Sequence, residues 1–248
     1  MKVAEVFKYI DWDFPFYTAA DFDNVGLLIG DKEKDVKTVL ITLDCTKAAV
    51  KKAIEIGAQV IVSHHPIIFD PIDRIDANSV INDCIKNDIA VICAHTNLDT
   101  GKNGINDCIA EKLGITAVGG VYVDGMLLRK GKFAEPMSAS AVAALCKETF
   151  GGHVRYTDSG KMLSSVLICS GSGGSFTNAA IKTGVDAFIT GEVRHHNLIE
   201  AADGGLSLFE CGHFETENII LSRITKTLTK ALPDLVCYEY TGEEIKNA

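Results

Sequence analysis

The fold class is decided by residues Thr38–Pro66, which read TVLITLDCTKAAVKKAIEIGAQVIVSHHP. The β-branched apolar run Thr38–Asp44 predicts a strand, and the apolar residues of Thr46–Ala58 recur at helical spacing up to Gly57. A second apolar run, Gln59–Ser63, predicts another strand. Because a helix connects the two strands, they form a βαβ unit with parallel strands, which indicates an α/β protein.

The same alternation extends to both sides of this unit and divides the chain into two α/β halves. The segment Arg129–Glu135 has no clear pattern, and the helix predicted after it ends at Gly151-Gly152, so we expect the halves to divide in this region. The first half is residues 1–125, with a contribution from the C-terminal segment, and the second is residues 126–248. The further predicted helices are Ser79–Lys86, Gly104–Leu113, Ser138–Phe150, Phe176–Thr183, Arg194–Ala202 and Thr216–Leu232, and the strands are Ile89–Ala94, Val118–Val123, Ser165–Ser170, Ala187–Thr190, Leu206–Cys211 and Leu235–Tyr240.

Composition narrows the class of protein. The chain has 248 residues, 47% of them hydrophobic and 23% charged, which is an ordinary globular balance. Its 24 basic and 33 acidic residues give a net charge of −9, so we expect neither a membrane surface nor nucleic acid as a partner. The N-terminus lacks the apolar run of a signal peptide, and the eight cysteines contain no Cys-x-x-Cys pair. Both features indicate a cytoplasmic protein with reduced thiols.

Metal-binding side chains follow three predicted strands. They are His64 and His65 after the first of these strands, His95 and Asp99 after the second, and His213 and Glu217 after the third. Ligands bind at the carboxyl ends of strands in open α/β sheets, so we expect these groups to converge. A single histidine at a strand end is usually a hydrogen-bonded structural residue, but six such groups at three strand ends favour a metal site.

The spacing of these residues favours two ions over one. His64 and His65 are adjacent and point in different directions, whereas His213 and Glu217 are four apart on one helical face, where Glu217 can bridge. Imidazoles with carboxylates suit Zn²⁺, Mn²⁺, Fe²⁺, Co²⁺ or Ni²⁺. Two ions roughly 3.5–4 Å apart would support hydrolysis by an activated hydroxide.

Two further segments are candidates for substrate binding. In the segment 191–196, Glu192 and Arg194 are predicted to contact the substrate, and His195 or His196 to act as a general acid; a solvated first turn of a helix is the alternative. The loop Ser170–Ser175 could cradle a phosphate, although a tight turn explains its glycines as well.

Cys211 lies near His213, but a thiol nucleophile is disfavoured because that imidazole suits a metal better.

Taken in order, six motifs resemble those of the Nif-three-like dinuclear metal-centre family, whose members are commonly labelled GTP cyclohydrolase 1 type 2 homologs. The resemblance covers nearly the whole chain. The motifs are Phe22–Leu27, Val62–Pro66, Ala94–Asp99, Ser170–Ser175, Ile189–His196 and Gly212–Glu217.

The resemblance implies two similar three-layer α/β/α halves with mixed sheets, interlocked through C-terminal strands, with a dinuclear metal site between them. It also implies a homohexamer built as a trimer of dimers. Carried over to this sequence, the family's ligands fall on His64, His65, Asp99, His213 and Glu217. His95 is implied as an extra ligand or a neighbour of the ligands.

The function expected from the residues and the resemblance is hydrolysis of a small, nucleotide-like molecule, with His95, His195 or His196 moving protons. A non-catalytic metal-binding scaffold or regulatory partner protein is the alternative. Action on DNA inside a ring would need basic residues such as Lys102, Arg129, Arg155 and Arg194 on the inner wall.

Overall fold

The computed structural model of the protein describes residues 1–242 and 245. Its helices are α1 (Val3–Asp13), α2 (Lys47–Glu55), α3 (Val80–Lys86), α4 (Thr96–Thr100), α5 (Ile105–Lys112), α6 (Ala139–Phe150), α7 (Thr177–Lys182), α8 (His195–Asp203), α9 (His213–Glu217) and α10 (Leu221–Ala231). Its strands are β1 (Gly26–Ile29), β2 (Thr38–Thr42), β3 (Val60–Ser63), β4 (Ala90–Cys93), β5 (Thr116–Val123), β6 (Met126–Met137), β7 (Arg155–Tyr156), β8 (Leu163–Cys169), β9 (Ala187–Thr190), β10 (Ser207–Glu210) and β11 (Val236–Tyr240).

The chain forms two compact units. Unit 1 consists of Met1–Lys102 and Ile220–Ala248, and unit 2 of Asn103–Ile219. The chain therefore completes unit 2 before it returns to add α10 and β11 to unit 1.

Unit 1 is built on a five-stranded mixed sheet in the order β1-β4-β3-β2-β11. The strands β4, β3, β2 and β11 are parallel, and β1 is the antiparallel edge. One face carries α2 and α3, whereas α10 contacts β2 and β11 and packs against α1. The buried side chains Leu40, Ile61 and Val91 pack with α2 and α3, so the βαβ unit predicted from the sequence forms the centre of this core.

Unit 2 is built on a six-stranded mixed sheet in the order β5-β6-β8-β9-β10-β7. Its parallel strands are β8, β9 and β10. Helices α7 and α8 pack against the core formed by Leu167, Phe188 and Leu208, and α5 contacts β6 and β8. Both units are therefore α/β/α layers around mixed sheets, as the fold prediction states.

The predicted division of the chain differs from the one observed, because residues 125 and 126 lie at the turn of a β-hairpin. Strands β5 and β6 pair antiparallel from Val123 opposite Met126 to Thr116 opposite Lys132. The turn is made by Asp124 and Gly125, both with positive φ. Both strands of this hairpin belong to unit 2, and the units divide instead after Lys102, before α5.

Two other sequence predictions are corrected. The segment Arg129–Glu135 is ordered strand, part of β6, whose alternating pattern is weakened by exposed residues at its far end. The single helix predicted over Thr216–Leu232 is two helices, α9 and α10, separated by a 3-10 turn at Asn218–Ile220. The division falls here because α9 belongs to unit 2 and α10 to unit 1.

Candidate metal centre

Three histidines of unit 1 lie together at the carboxyl ends of two neighbouring parallel strands. His64 and His65 follow β3 directly, and His95 comes two residues after β4. One ring nitrogen of each lies within 4.8 Å of the other two. The His64 ring centroid is 4.7 Å from that of His65 and 5.1 Å from that of His95. The predicted convergence of these two strand ends is therefore observed.

Each of the three imidazoles is held through its Nδ1 atom. The contacts of Nδ1 are 3.0 Å to the Ala94 carbonyl for His64, 2.8 Å to Asp44 Oδ1 for His65, and 2.9 Å to Asp23 Oδ1 for His95. A carbonyl or an ionised carboxylate only accepts hydrogen bonds, so Nδ1 carries the proton in each ring. This fixes the tautomer that presents Nε2 as a ligand atom, which is the arrangement seen around metal-binding histidines.

Asp23 is the most constrained of these partners, and its side chain has no exposed surface. Burial by itself would raise its pKa. Hydrogen bonds from His95 and from the hydroxyl and backbone N–H of Thr96, together with the charge of His95, outweigh burial and lower the pKa of Asp23 to about 2. The carboxylate is therefore ionised at neutral pH and ready to orient His95.

Asp99 lies in α4, one turn after His95, and its Oδ1 is 3.9 Å from His64 Nε2. This separation is too long for a hydrogen bond. It is suitable for two atoms that share an ion, because ligands about 2.1 Å from a metal lie at most about 4.2 Å apart. Asp99 is thus a candidate oxygen ligand beside the three imidazoles of unit 1.

Unit 2 carries a second cluster at the ends of its parallel strands β9 and β10. His213 and Glu217 lie on α9, with His213 Nε2 at 3.1 Å from Glu217 Oε2. The predicted four-residue spacing on one helical face is confirmed. Glu192, which follows β9, lies 3.4 Å from His213 Nδ1 through its carboxylate. Glu192 thus lies beside a candidate ligand, and its predicted contact with the substrate stays a prediction.

The glycine-rich loop packs directly against this second cluster. Gly171 has φ +56°, and a methyl group on it would lie 2.1 Å from Glu217 Oε1 and 3.3 Å from His213 Nε2. The loop's N–H groups at Ser170 and Gly173 already donate to Asn106 Oδ1 and Thr190 Oγ1. These contacts favour the tight turn over the phosphate cradle, because the glycine is needed for close approach to Glu217.

The remaining predicted substrate and proton-transfer residues of unit 2 are at the surface. Arg194, His195 and His196 are exposed at the start of α8. This agrees with the solvated first turn that was the alternative for this segment. Their roles in catalysis or substrate binding stay predictions.

Cys211 is fully buried, and its thiol lies against Cys146. The hydrogen bond with Cys146 and burial raise the pKa of Cys211, so it is a poor nucleophile. All eight cysteines are free thiols and six are buried, as predicted for thiols that fill the core.

Of the basic residues considered for a DNA-binding wall, Arg129 pairs with Asp107 and Arg155 with Glu210.

A cavity of about 370 Å³ opens beside His65 in unit 1. It is lined by His65, its partner Asp44, the neighbouring Cys45 and Thr46, and the apolar Ile67 and Val80. The cavity gives room for a small molecule next to a candidate ligand.

Comparison with known proteins identifies the family. The Duf34/NIF3 (NGG1p interacting factor 3) family matches residues 1–245. The chain belongs to this family. Among relatives of this Duf34/NIF3 chain, a GTP cyclohydrolase 1 type 2 homolog of Clostridium perfringens is 32% identical over 245 residues, covering 94% of the chain and 93% of the relative.

Solved structures also resemble this Duf34/NIF3 chain over its whole length. The Staphylococcus aureus hypothetical protein SA1388 has a TM-score of 0.88 and 27% identity, with 100% of this chain and 99% of that one covered. Reduced HcgD from Methanocaldococcus jannaschii has a TM-score of 0.87 and 30% identity, with 96% and 97% covered. These likenesses agree with the family expected from the six motifs.

The sequence had not assigned two residues that this Duf34/NIF3 chain uses to hold its histidines. Asp23 lies in the Phe22–Leu27 motif, for which no role was derived, and its contact with His95 joins residues 72 positions apart. Asp44 could have been found, because it follows β2 as His65 follows β3, and β2 and β3 are parallel neighbours.

Among the described residues, no helix is long and apolar enough to cross a bilayer.

Proposed function

We propose that this chain is a hydrolase that uses two divalent transition-metal ions (Zn, Fe, Mn, Co or Ni) and acts on a small, nucleotide-like molecule. The observation that carries the proposal is the group of three imidazoles in unit 1, with nitrogens within 4.8 Å and each Nδ1 engaged. Three histidines oriented in this way are the donor set of a metal site, and burial of His64 makes an adventitious surface cluster a poor explanation.

We propose that five residues supply the ligands of these ions. His64, His65 and Asp99 come from unit 1, and His213 and Glu217 from unit 2. The support is the donor chemistry of each cluster and the correspondence of all five residues with the ligands implied by the family resemblance. Glu217 has only 4% of its side chain exposed, so a cation would offset the cost of burying its charge.

Ions bound there would supply an activated water at neutral pH and polarise a carbonyl or phosphoryl oxygen of the substrate. The protein's own groups do the rest. Asp44, Asp23 and the Ala94 carbonyl keep three imidazoles in one tautomer, and the cavity beside His65 admits the substrate. His95 is held by an ionised carboxylate, so it is suited either to ligation or to proton transfer. His195 and His196 remain candidates for proton transfer from unit 2.

The alternative is a metal-binding scaffold that regulates a partner protein without turnover. The family's name, NGG1p interacting factor 3, favours it, since that name describes an interaction and no reaction. The label of the Clostridium perfringens relative favours a cyclohydrolase. Because both fit the same metal cluster, turnover separates them.

The test combines metal analysis with a substrate panel of nucleotides, phosphoesters and formamides. We expect His65→Ala and Glu217→Ala to lose metal and turnover together, because each removes a ligand. His153→Ala is the matched control, since His153 is exposed and outside both clusters. Turnover that survives both ligand variants would refute the proposal, and metal binding without turnover across the panel would support the scaffold.

We also propose a homohexamer, arranged as a trimer of dimers, in the cytoplasm. The exposed aromatic side chains of Trp12 and Tyr17 support self-association, because large apolar groups at the surface often mark interfaces. The eight free thiols support a reducing compartment. The acidic net charge argues against nucleic acid as a partner.

A further inference from the structure

Two phenylalanine rings of unit 1 lie exposed beside the histidine cluster. Phe22 is 65% exposed and Phe69 is 46% exposed, with ring centroids 6.3 Å apart. The Phe69 ring is in turn 6.3 Å from the His95 ring and meets it edge-on at 83°. We call Phe22 and Phe69 the aromatic platform. Its two rings come from loops 47 residues apart in the sequence, so their proximity is a product of the tertiary structure.

The platform is fixed by the two residues that follow Phe22. Asp23 accepts hydrogen bonds from His95 and Thr96, which attaches the Phe22 loop to the histidine cluster. Asn24 donates from Nδ2 to the carbonyl of Ile68 at 2.7 Å, which attaches the same loop to the residue before Phe69. Residues 22–24 thus connect one exposed ring, a candidate metal ligand and the loop that carries the second exposed ring.

Single exposed apolar residues are common and need no explanation. The platform is different because hydrogen bonds of Asp23 and Asn24 fix the loops that carry the two rings while the rings stay exposed, and because the Phe69 ring lies edge-on to a histidine of the candidate metal centre. Covering such a ring with a ligand removes apolar surface from water, which favours binding. The arrangement is what a site for a flat ligand requires: preorganised π surfaces next to reactive groups.

We propose that the aromatic platform binds a flat heteroaromatic ring of the substrate by stacking and places it beside His95. This inference rests on the proposed function and specifies its substrate class. Exposed carboxylates neighbour both rings in the sequence, Asp21 before Phe22 and Asp70 after Phe69. Their negative charge favours a ring that carries N–H donors, such as an aminopurine, over an electron-rich ring that only accepts.

The test measures equilibrium binding without turnover, by calorimetry or ligand-observed NMR, with guanosine and ribose 5-phosphate as probes. Stacking on one aromatic side chain contributes roughly 1–3 kcal/mol per base, so we expect Phe22→Ala and Phe69→Ala each to weaken guanosine binding about tenfold or more. Ribose 5-phosphate has no ring to stack, and its affinity should not change. Phe69→Tyr keeps the π surface and should restore guanosine binding.

Two further variants separate stacking from general effects. Tyr122→Ala removes an exposed aromatic ring of unit 2 and should leave guanosine binding unchanged. Asn24→Asp is isosteric but has no N–H to donate to Ile68, so it should weaken guanosine binding several-fold without changing metal content. Asn24 is thus a positioning residue, and the ratio of guanosine to ribose 5-phosphate affinity reports on it.

Guanosine binding that is unchanged in the Phe22→Ala/Phe69→Ala double variant would overturn the inference. So would an equal loss in Tyr122→Ala, or no binding of guanosine to the unaltered protein. Failure of the proposed function gives a different result. If the protein binds metal and stacks guanosine on the platform but hydrolyses nothing, the aromatic platform is supported and the proposed hydrolase function is refuted.

Discussion

The candidate ligands of the two units are held in place by different means. In unit 1, hydrogen bonds orient the imidazoles: Asp44, Asp23 and a backbone carbonyl each engage one Nδ1 atom. In unit 2, close packing places the ligands. The glycine at position 171 has no side chain, and Glu217 and His213 occupy the space that one would fill. The electrostatic contact in unit 2, between Glu192 and His213, is longer than the contacts in unit 1, at 3.4 Å, and the Glu192 side chain is half exposed.

This difference has a practical consequence. Hydrogen-bonded orientation can be weakened in steps, by removing a charge or lengthening a bond, and its loss is graded. Packing against a backbone fails abruptly, because an added methyl group cannot share the space of a carboxylate oxygen. The effects of substitutions on metal affinity and stability should therefore differ between the two units in magnitude and in kind.

The largest effect is expected from Gly171→Ala in unit 2. The new methyl group would lie 2.1 Å from Glu217 Oε1, and the residue must keep φ at +56°. We expect Glu217 to be displaced, metal affinity to fall by more than about 100-fold, and the free energy of unfolding to drop by about 2–3 kcal/mol. Metal titration and chemical denaturation measure the two quantities.

The matched control is Gly184→Ala, because Gly184 also has a positive φ, +67°, but nothing within 4 Å of an added methyl group. It should lose about 1 kcal/mol of stability and no metal affinity. Equal metal affinity in Gly171→Ala and Gly184→Ala would show that Gly171 does not position Glu217.

An intermediate effect is expected from Asp44→Ala in unit 1, compared with Glu192→Ala in unit 2. Asp44 makes a 2.8 Å contact with His65, so its loss should lower metal affinity about 10- to 100-fold. Glu192 is half exposed and farther from His213, so its loss should cost less than about fivefold. Metal titration of both variants checks the order, and a larger loss for Glu192→Ala would reverse the comparison.

The smallest effect concerns stability in acid and depends on Asp23. Its pKa is lowered from 3.8 to about 2 in the folded protein, so its contribution is fully present above about pH 4 and is lost as the pH falls through about 2. The shift corresponds to about 2 kcal/mol of unfolding free energy. Denaturation of metal-free protein at pH 5 and pH 2.5 should therefore show a steeper decline for the unaltered chain than for Asp23→Asn.

Asp21→Asn is the control for this measurement, since Asp21 is an exposed neighbour. It should keep the acid dependence of the unaltered protein. If Asp23→Asn retained the same decline, the ionised carboxylate of Asp23 would not be the source of this acid dependence.

Much of the fold followed from local patterns. The runs around β2, α2 and β3 gave both strands and the helix within a few residues, since apolar periodicity is a local property. The hairpin of β5 and β6 was missed at β6, where exposed positions break the alternation. The N-terminal helix α1 and the edge strand β1 were not predicted either; each depends on packing within unit 1 for its place.

The candidate site divides in the same way. Histidines directly after β3 and β4 were predicted to converge because parallel strands end at one edge, and they do. The partners of these histidines were not predicted. Asp23 lies 72 residues before His95, and Phe22 meets Phe69 across 47 residues, which no local pattern encodes.

The sequence by itself determined the α/β class, the strand ends at which ligands gather and the family to which the chain belongs. These features depend on neighbouring residues and on motifs written in the chain. The tertiary structure decided which carboxylate orients which imidazole, why Gly171 must lack a side chain and where two phenylalanines meet. Those contacts join segments far apart in the chain, so the folded backbone alone brings their atoms within reach.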